Sequence, residues 1–383
     1  MHMDVPVLKG VFCGAEFQYV TDVYDLCHVP VGCLDAFGRP DDGYLSAWFG
    51  RRQIPVTRHN FSDLQGRLHG VAPGMLAMRN FMANLSDQYW IKPIGSDLCH
   101  SDVSFFRNDF WFDSLAVLLP SGMFRLNARR ATDLQSPSYC TDGDVPKAWA
   151  LDSDGARVLY KSFVSKFLQE PYNELIASHV LDVMCVKHVL YNMFSHNVAD
   201  CSLCRCAVSP GQDFVPAYDI MRSFDLRGPY FDLNTYVAFA ESVGVSDVRC
   251  QIEHQIVLDY LMRNTGRSWF DFGLIRDAGA LNYVDVMPIF DNGDSLYHDV
   301  GHIQIESDGR SMLTGLSLDQ DLQYVRMLTK GMRMAAHRFP GIVQQVLFGS
   351  RMPDVRKWRL VDAATYRADR LLRYFGGPGL CCV

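Results

Sequence analysis

The alternation of apolar and polar positions predicts a β-rich segment in the middle of the chain. Apolar residues alternate between clusters of turn-forming residues, which predicts strands at 145–151, 157–163, 186–194 and 202–208. A helix is predicted to begin at Pro171, because proline suits the first helical turn. Ile176, Val180 and Met184 recur every four residues, so they would form the buried face of this helix.

Beyond about Asp213 the pattern becomes mainly helical. The clearest helix is predicted at 250–263, an amphipathic segment in which Ile252, Ile256 and Tyr260 share one face. The C-terminal segment of the chain alternates apolar and basic positions, which again indicates helices. We therefore expect a helical unit to follow the β-rich one.

Three units are predicted along the chain: an N-terminal α+β region at 1–130, a β-rich lobe at 131–212 and a helical lobe at 213–383. Two short strands are expected within the last of these, at 272–276 and 281–290. A β-rich lobe joined to a helical lobe predicts an α+β, bilobed body with a cleft between the lobes.

Composition and charge restrict the classes of partner. The chain has 383 residues, 48% of them hydrophobic and 21% charged, which is ordinary for a protein with a sizeable core. A formal charge of −7 argues against a nucleic-acid partner or an anionic membrane held by bulk charge. The 12 cysteines are irregularly spaced, and no apolar run is long enough for a membrane helix. We therefore expect free thiols and a cytoplasmic protein.

Four features follow one another in the order that phosphoryl transfer requires. A turn-rich hairpin at 136–149 would present backbone N–H groups to phosphates. Lys161 lies on the next predicted strand, where a lysine needs a partner, and Glu174 in the following helix is expected to be that partner. A loop at 264–273 comes next, and Asp291 then ends a strand, where a carboxylate suits Mg²⁺.

Several motifs carry a resemblance to a known family. They include LSDQYWIKP at 85–93, QEPYNE at 169–174, DYL at 259–261 and PIFDNGDSL at 288–296, together with Phe105-Phe106, Asn108-Asp109-Phe110, Ser136-Pro137, Thr141-Asp142-Gly143, Lys147, Trp149, Asn264, Arg267 and Phe272-Gly273. On these residues the chain resembles HipA-like kinases from about residue 45 to 300.

The resemblance implies a two-lobed, kinase-like fold with an additional N-terminal region. It also implies ATP with Mg²⁺ or Mn²⁺ as cofactors, transfer of the γ-phosphate to a serine or threonine hydroxyl, and an unidentified protein substrate or regulatory partner. Some relatives act beside DNA-binding partners, as in toxin–antitoxin systems. Carried over by position, the nucleotide contacts are Lys161, Glu174, Thr141, Asp142, Gly143 and Lys147, and the metal ligands are Asp271 and Asp291.

The catalytic loop departs from the family pattern. The family expects an aspartate base at the position of Gly266, followed by Arg267, a histidine where Ser268 stands and an asparagine where Asp271 stands. Loss of a general base predicts weakened turnover, since such a base contributes about 10²- to 10⁴-fold in rate. Two carboxylates at positions 271 and 291 should favour a divalent ion, and without the ion the pKa of one of them should be raised.

Three function hypotheses follow. The chain is a kinase with altered loop chemistry, a pseudokinase that binds ATP and signals without turnover, or a DNA-associated regulator, which the acidic charge does not support. Asp259 is a second candidate base, although we expect it to pack or cap its helix.

Three further clusters admit two interpretations each. Cys201, Cys204 and Cys206 are expected to be buried thiols rather than zinc ligands. His298 and His302 are expected to lie in a loop rather than to bind a metal. The basic segment 351–359 is expected to be a solvated helix face rather than a site for an acidic partner.

Overall fold

The N-terminal region combines a β-hairpin with short helices. The structure, a computed structural model, describes residues 1–67, 71–110, 136–195, 200–224, 230–301, 304–305 and 309–376. The hairpin pairs two antiparallel strands, and four helices follow it. These elements are β1 (Leu8–Cys13), β2 (Glu16–Val23), α1 (Asp42–Gly50), α2 (Phe61–Arg67), α3 (Pro73–Arg79) and α4 (His100–Val103).

A four-stranded antiparallel sheet forms the β-rich lobe, close to the strand positions predicted from the sequence. Its strands are β3 (Lys147–Leu151), β4 (Arg157–Lys161), β5 (Tyr191–Ser195) and β6 (Asp200–Arg205), in the spatial order β3-β4-β6-β5. Helix α5 (Glu170–Met184) packs against β5 and β6, and its residues Ile176, Val180 and Met184 are all buried in the main apolar core. The predicted helix and its buried face are therefore confirmed.

A three-stranded sheet and a set of helices form the rest of the described chain. These elements are β7 (Gln212–Pro216), α6 (Ala217–Arg222), α7 (Leu233–Ser242), α8 (Val248–Met262), β8 (Gly273–Asp277), β9 (Tyr283–Val286), α9 (Leu318–Asp321), α10 (Lys330–Phe348) and α11 (Asp354–Gly376). The sheet order is β7-β8-β9, all antiparallel. Helix α10 packs against both α5 and α11, which joins the two lobes through one apolar core.

Two of these elements differ from the sequence-based expectation. The segment from Asp213, expected to be helical, begins with strand β7, because its backbone pairs with Gly273–Asp277 of β8. Helix α8 is buried on all sides from Gln251 to Met262 rather than on one face. It contacts α5, α7, α10 and α11, and buried polar side chains such as Gln251 and Asp259 meet other polar groups instead of solvent.

The N-terminal region is attached to the second sheet by a buried ion-pair network. His2 Nε2 lies 3.0 Å from Asp213 Oδ2, and Arg276 Nη2 donates to the same oxygen at 2.8 Å. Beside this network, Trp90 and Phe105 share an apolar cluster with residues of both sheets. Since charged groups are seldom buried without partners, this network locates the region against β7 and β8.

Candidate active site

Lys161 is at the centre of the site and has two acidic partners. Its Nζ donates to Glu174 Oε1 and, at 2.5 Å, to Asp291 Oδ1. Burial acts to lower the pKa of Lys161, but Asp291 and Glu174 outweigh it and hold that pKa well above its ordinary value. The predicted Lys161–Glu174 pair is therefore present, and the ammonium group stays charged.

Lys161 and neighbouring groups hold Asp291 and Glu174 in place. Burial acts to raise the pKa of Asp291, but Lys161 and then Lys147 hold it below its ordinary value, so Asp291 is ionised. Glu174 Oε2 also accepts a hydrogen bond from the backbone N–H of Asn292 at 2.8 Å. Asp291 has a left-handed backbone with φ of 58°, a strained conformation for a residue with a side chain, and such strain concentrates at functional sites.

A second lysine faces Lys161 across the sheet. Lys147 on β3 is directly opposite Lys161 on β4, and both side chains are buried. Lys147 forms no ion pair with any residue in the described part of the chain, and burial lowers its pKa to about 8. Like charges directly opposite each other destabilise a sheet, so this arrangement indicates a place built for an anion.

A turn at residues 141–144 covers Lys147. Gly143 has a φ of 95°, and a Cβ at this position would lie only 2.3 Å from Lys147 Nζ, so only glycine fits. From the N-terminal region, Arg58 donates to the carbonyl oxygens of Thr141 at 2.5 Å and Gly143 at 2.9 Å. Sequence reasoning missed Arg58, because it lies more than 80 positions before the turn that it holds.

The hairpin predicted at 136–149 is wrong in its first half. Pro137–Cys140 forms one 3₁₀ turn with buried side chains, and only Lys147–Leu151 is a strand. Ser136 caps the 3₁₀ turn, its side chain accepting a hydrogen bond from the Ser138 N–H at 3.2 Å. Residues 136–139 therefore do not line the cleft, whereas Cys140, the turn residues 141–143, Lys147 and Trp149 do.

Arg267 holds the loop that contains Gly266. It is fully buried, pairs with Asp259 at 3.1 Å and donates to Asn292 Oδ1 at 2.5 Å and to the carbonyl of Phe290. Asp259 is thereby occupied, so the expected packing role of this residue is confirmed. Arg267 connects the loop to the Asp291 segment, which is a positioning role, away from the cleft.

Asp271 lies near Asp291 at the inner end of the cleft. Its Oδ2 accepts hydrogen bonds from the backbone N–H and the hydroxyl of Ser268, both at 2.7 Å. Burial, and then the charge of Asp291, raises the pKa of Asp271 to about 6. The expectation that one of the two carboxylates would have a raised pKa is confirmed.

An apolar wall completes the cleft. A cavity of about 350 Å³ runs from the two lysines and Asp291 towards side chains supplied by both sheets. Its apolar lining includes Trp149, Leu159, Val189, Met287 and Phe290. Trp149 and Leu159 are opposite each other on β3 and β4, two residues from the paired lysines. The same face of the sheet therefore supplies both the lysines and these apolar side chains. The cavity therefore joins the two lysines and Asp291 to a wall that is mostly apolar.

The segment after Asp291 is held by Asn173 and Arg356, whose contacts with it were not predicted from the sequence. Asn173 Nδ2 donates to the carbonyls of Gly293 and Ser295 at 2.7 and 2.8 Å. Arg356 donates to the Tyr297 carbonyl at 2.6 Å and has no solvent exposure. The solvated face expected around Arg356 is therefore wrong at this residue, because its guanidinium is needed by buried carbonyl groups.

The cysteine cluster at 201–206 consists of thiols that are buried or half-buried. Cys201 and Cys204 are buried and Cys206 is half-buried, and burial raises the pKa of all three thiols. His302 lies outside the described residues. Within the described ranges no group of three His, Cys, Asp or Glu side chains suits a metal ion, and no helix is long and apolar enough to cross a membrane.

The fold and the cleft together define the class of the protein. A β-rich lobe with a buried Lys–Glu pair, a helical lobe and an aspartate at the cleft between them form a bilobed α+β kinase-like fold, specifically the HipA-like kinase fold. No family model matches the chain, and no curated protein matches it in sequence.

Solved structures supply the particular comparisons. The chain is similar to HipA of Shewanella oneidensis MR-1, from a toxin–antitoxin complex of HipA, HipB and operator DNA, with a TM-score of 0.58 and 12% identity over 98% of this chain and 97% of that chain. It is also similar to the Helicobacter pylori proinflammatory kinase CtkA, with a TM-score of 0.44 and 15% identity over 59% of this chain and 94% of that chain.

Proposed function

We propose that the chain binds ATP with Mg²⁺ or Mn²⁺ in the cleft and transfers the γ-phosphate to a serine or threonine hydroxyl. The observation that carries the proposal is the pair of buried lysines, Lys147 and Lys161, opposite each other in a cavity whose wall is mostly apolar. Lys161 is paired with both Glu174 and Asp291, whereas Lys147 has no ion-pair partner among the described residues, so an anionic ligand would supply one.

The residues of the cleft fit such a ligand in three respects. Lys147 and Lys161 would contact phosphate oxygens, and backbone N–H groups of the turn at 141–144 would cover them. Asp271 and Asp291 would hold the metal ion, which proteins usually bind through one or two carboxylates together with phosphate oxygens. The apolar wall of the cavity would contact the adenine base of ATP.

Each group has a separate part in the proposed reaction. ATP, when bound, supplies the phosphoryl group. Lys161 is kept charged and in place by Glu174, and Arg267 fixes the loop on which Asp271 lies. Because phosphoryl transfer relies mainly on positioning and on neutralising charge, such a preorganised cleft supplies much of the catalysis.

Calorimetry with ATP tests the proposal. The wild-type chain should bind ATP in Mg²⁺ or Mn²⁺, and Asp291→Ala should weaken that binding while changing little in EDTA. Asp285→Ala is the matched control, because Asp285 lies six positions earlier and pairs with Lys187 at an exposed site. Absence of nucleotide binding by the wild-type chain under every metal condition would refute the proposal.

A pseudokinase is the second candidate, and Gly266 favours it because this position has no side chain to accept a proton. ATP binding without measurable phosphate transfer would support it. The Shewanella neighbour was solved with HipB and operator DNA. For this chain, the expected absence of a nucleic-acid partner rests on net charge and stays a prediction.

A further inference from the structure

The space beside Gly266 is already occupied by another carboxylate. A Cβ at Gly266 would lie 2.7 Å from the Cβ of Asp294 and 2.9 Å from its Oδ2, closer than side chains approach. Gly266 does not have a positive φ, so the backbone at this position does not itself require glycine. Glycine is needed here because the Asp294 side chain occupies the space that a side chain at position 266 would take.

Asp294 is held in a defined position on this loop. Asn173 anchors the residues on either side of it, Gly293 and Ser295, through two carbonyl hydrogen bonds. Asp294 Oδ1 lies 3.5 Å from His298 Nε2, which leaves Oδ2 directed at Gly266. The Asp294 side chain is 52% exposed, so it is open to a molecule that arrives from solvent.

We propose that Asp294 supplies the carboxylate that the family pattern places at position 266, and that it accepts the proton of the substrate hydroxyl. The inference rests on the proposed function. The hydroxyl oxygen forms a bond to the γ-phosphorus of ATP as the bond from that phosphorus to the β-phosphate oxygen breaks. The proton passes to Asp294 Oδ2 and ADP leaves, so charge and atoms balance.

The surroundings of Asp294 suit a proton acceptor. Partial burial, and also the charge of Asp291, raises the pKa of its carboxyl above the ordinary value, although His298 opposes the shift. A base is most effective when its pKa approaches the working pH. Asp271, by contrast, is hydrogen-bonded to Ser268 and would be occupied by the metal ion.

The steric part of the inference is tested without nucleotide. Thermal unfolding is compared for the wild type, Gly266→Ala, Asp294→Gly and the double variant. Gly266→Ala alone should lower the unfolding midpoint by several degrees, and the same change in the Asp294→Gly background should lower it much less. Equal effects of Gly266→Ala in both backgrounds would show that the two side-chain positions do not compete for space, and would overturn the inference.

The chemical part is tested by phosphate transfer from [γ-³²P]ATP to the chain itself and to water, beside calorimetric ATP binding. Asp294→Asn should reduce transfer by about 10²- to 10⁴-fold with ATP affinity unchanged. Asp299→Asn is the matched control, because Asp299 is equally exposed at 52% and lies 4.0 Å from the other nitrogen of His298. The double variant Gly266→Asp/Asp294→Gly, which returns the carboxylate to the loop, should recover transfer.

The outcomes separate this inference from the proposed function. If the wild type binds ATP and transfers phosphate but Asp294→Asn behaves as Asp299→Asn does, Asp294 is not the base and the proposed function stands. If the wild type binds ATP and transfers nothing, the role of Asp294 is refuted and the chain is a pseudokinase. If the wild type does not bind ATP, the proposed function itself fails.

Discussion

Replacing Lys147 with methionine should stabilise the ligand-free chain and at the same time weaken its binding of ATP. The buried lysine faces Lys161 across the sheet and has no ion-pair partner among the described residues. Methionine keeps the length and the apolar stem of the side chain and removes the charge. The two effects have opposite signs because the charge is useful only when an anion is bound.

The pKa of Lys147 sets the size of the first effect. Burial lowers that pKa from 10.5 to about 8, and one pKa unit corresponds to about 1.4 kcal/mol. Holding this lysine charged at pH 7 therefore costs the folded chain about 3 kcal/mol, which is the upper limit of the stabilisation expected from Lys147→Met. A charged hydrogen bond contributes about 1.5–3 kcal/mol, so ATP affinity should fall about 10- to 100-fold.

The pH dependence follows from the same shift. Because the pKa of Lys147 is lower in the folded chain, the unfolded chain binds more protons between pH 8 and 10.5. The stability of the wild type should therefore rise relative to Lys147→Met as pH increases through this window, and the full difference should be present below pH 8.

Urea unfolding at pH 7 and pH 9, together with ATP titration calorimetry in Mg²⁺, measures both effects. Lys166→Met is the control, because Lys166 is an exposed lysine on the same lobe. A Lys147→Met protein that is less stable than the wild type at pH 7, or that binds ATP equally well, would refute the reasoning.

Two further predictions concern the turn and the metal site. Arg58→Ala should lower ATP affinity and speed amide hydrogen exchange at residues 141–144, because the carbonyl groups of Thr141 and Gly143 lose their charged donor. Unchanged hydrogen exchange at these residues would contradict the role of Arg58. Asp271→Asn should weaken Mn²⁺-dependent ATP binding at pH 8 and have little effect at pH 5, since the Asp271 carboxyl, with its pKa near 6, is protonated at the lower pH. Calorimetry at both pH values measures this, and an equal loss at each would argue against Asp271 as a metal ligand.

Local patterns in the sequence were sufficient for the elements that carry the central pair. Alternating residues between turns predicted β4, and the four-residue repeat of buried positions predicted α5, so Lys161 and Glu174 could be placed on neighbouring elements. A charged side chain on an apolar strand requires a nearby partner, which is why this pair was predictable.

Strand β7 could not be predicted in the same way. Its five residues acquire their structure from pairing with Gly273–Asp277, some 60 positions later, and a short apolar segment carries no information about such a partner. Helix α8 was predicted as an element, but its full burial depends on the helices around it.

The sequence by itself indicated Lys161, Glu174 and Asp291 as candidate site residues, and it showed that Gly266 has no side chain where the family pattern places a base. Only the tertiary structure decided that Asp294 fills the space beside Gly266, that Arg58 holds the turn at 141–144 and that Arg356 is buried. The physical reason is the range of the interactions. Helical and strand periodicity arises between neighbours in the chain, whereas these three side chains meet partners 28 to 187 positions away, and only folding brings those groups into contact.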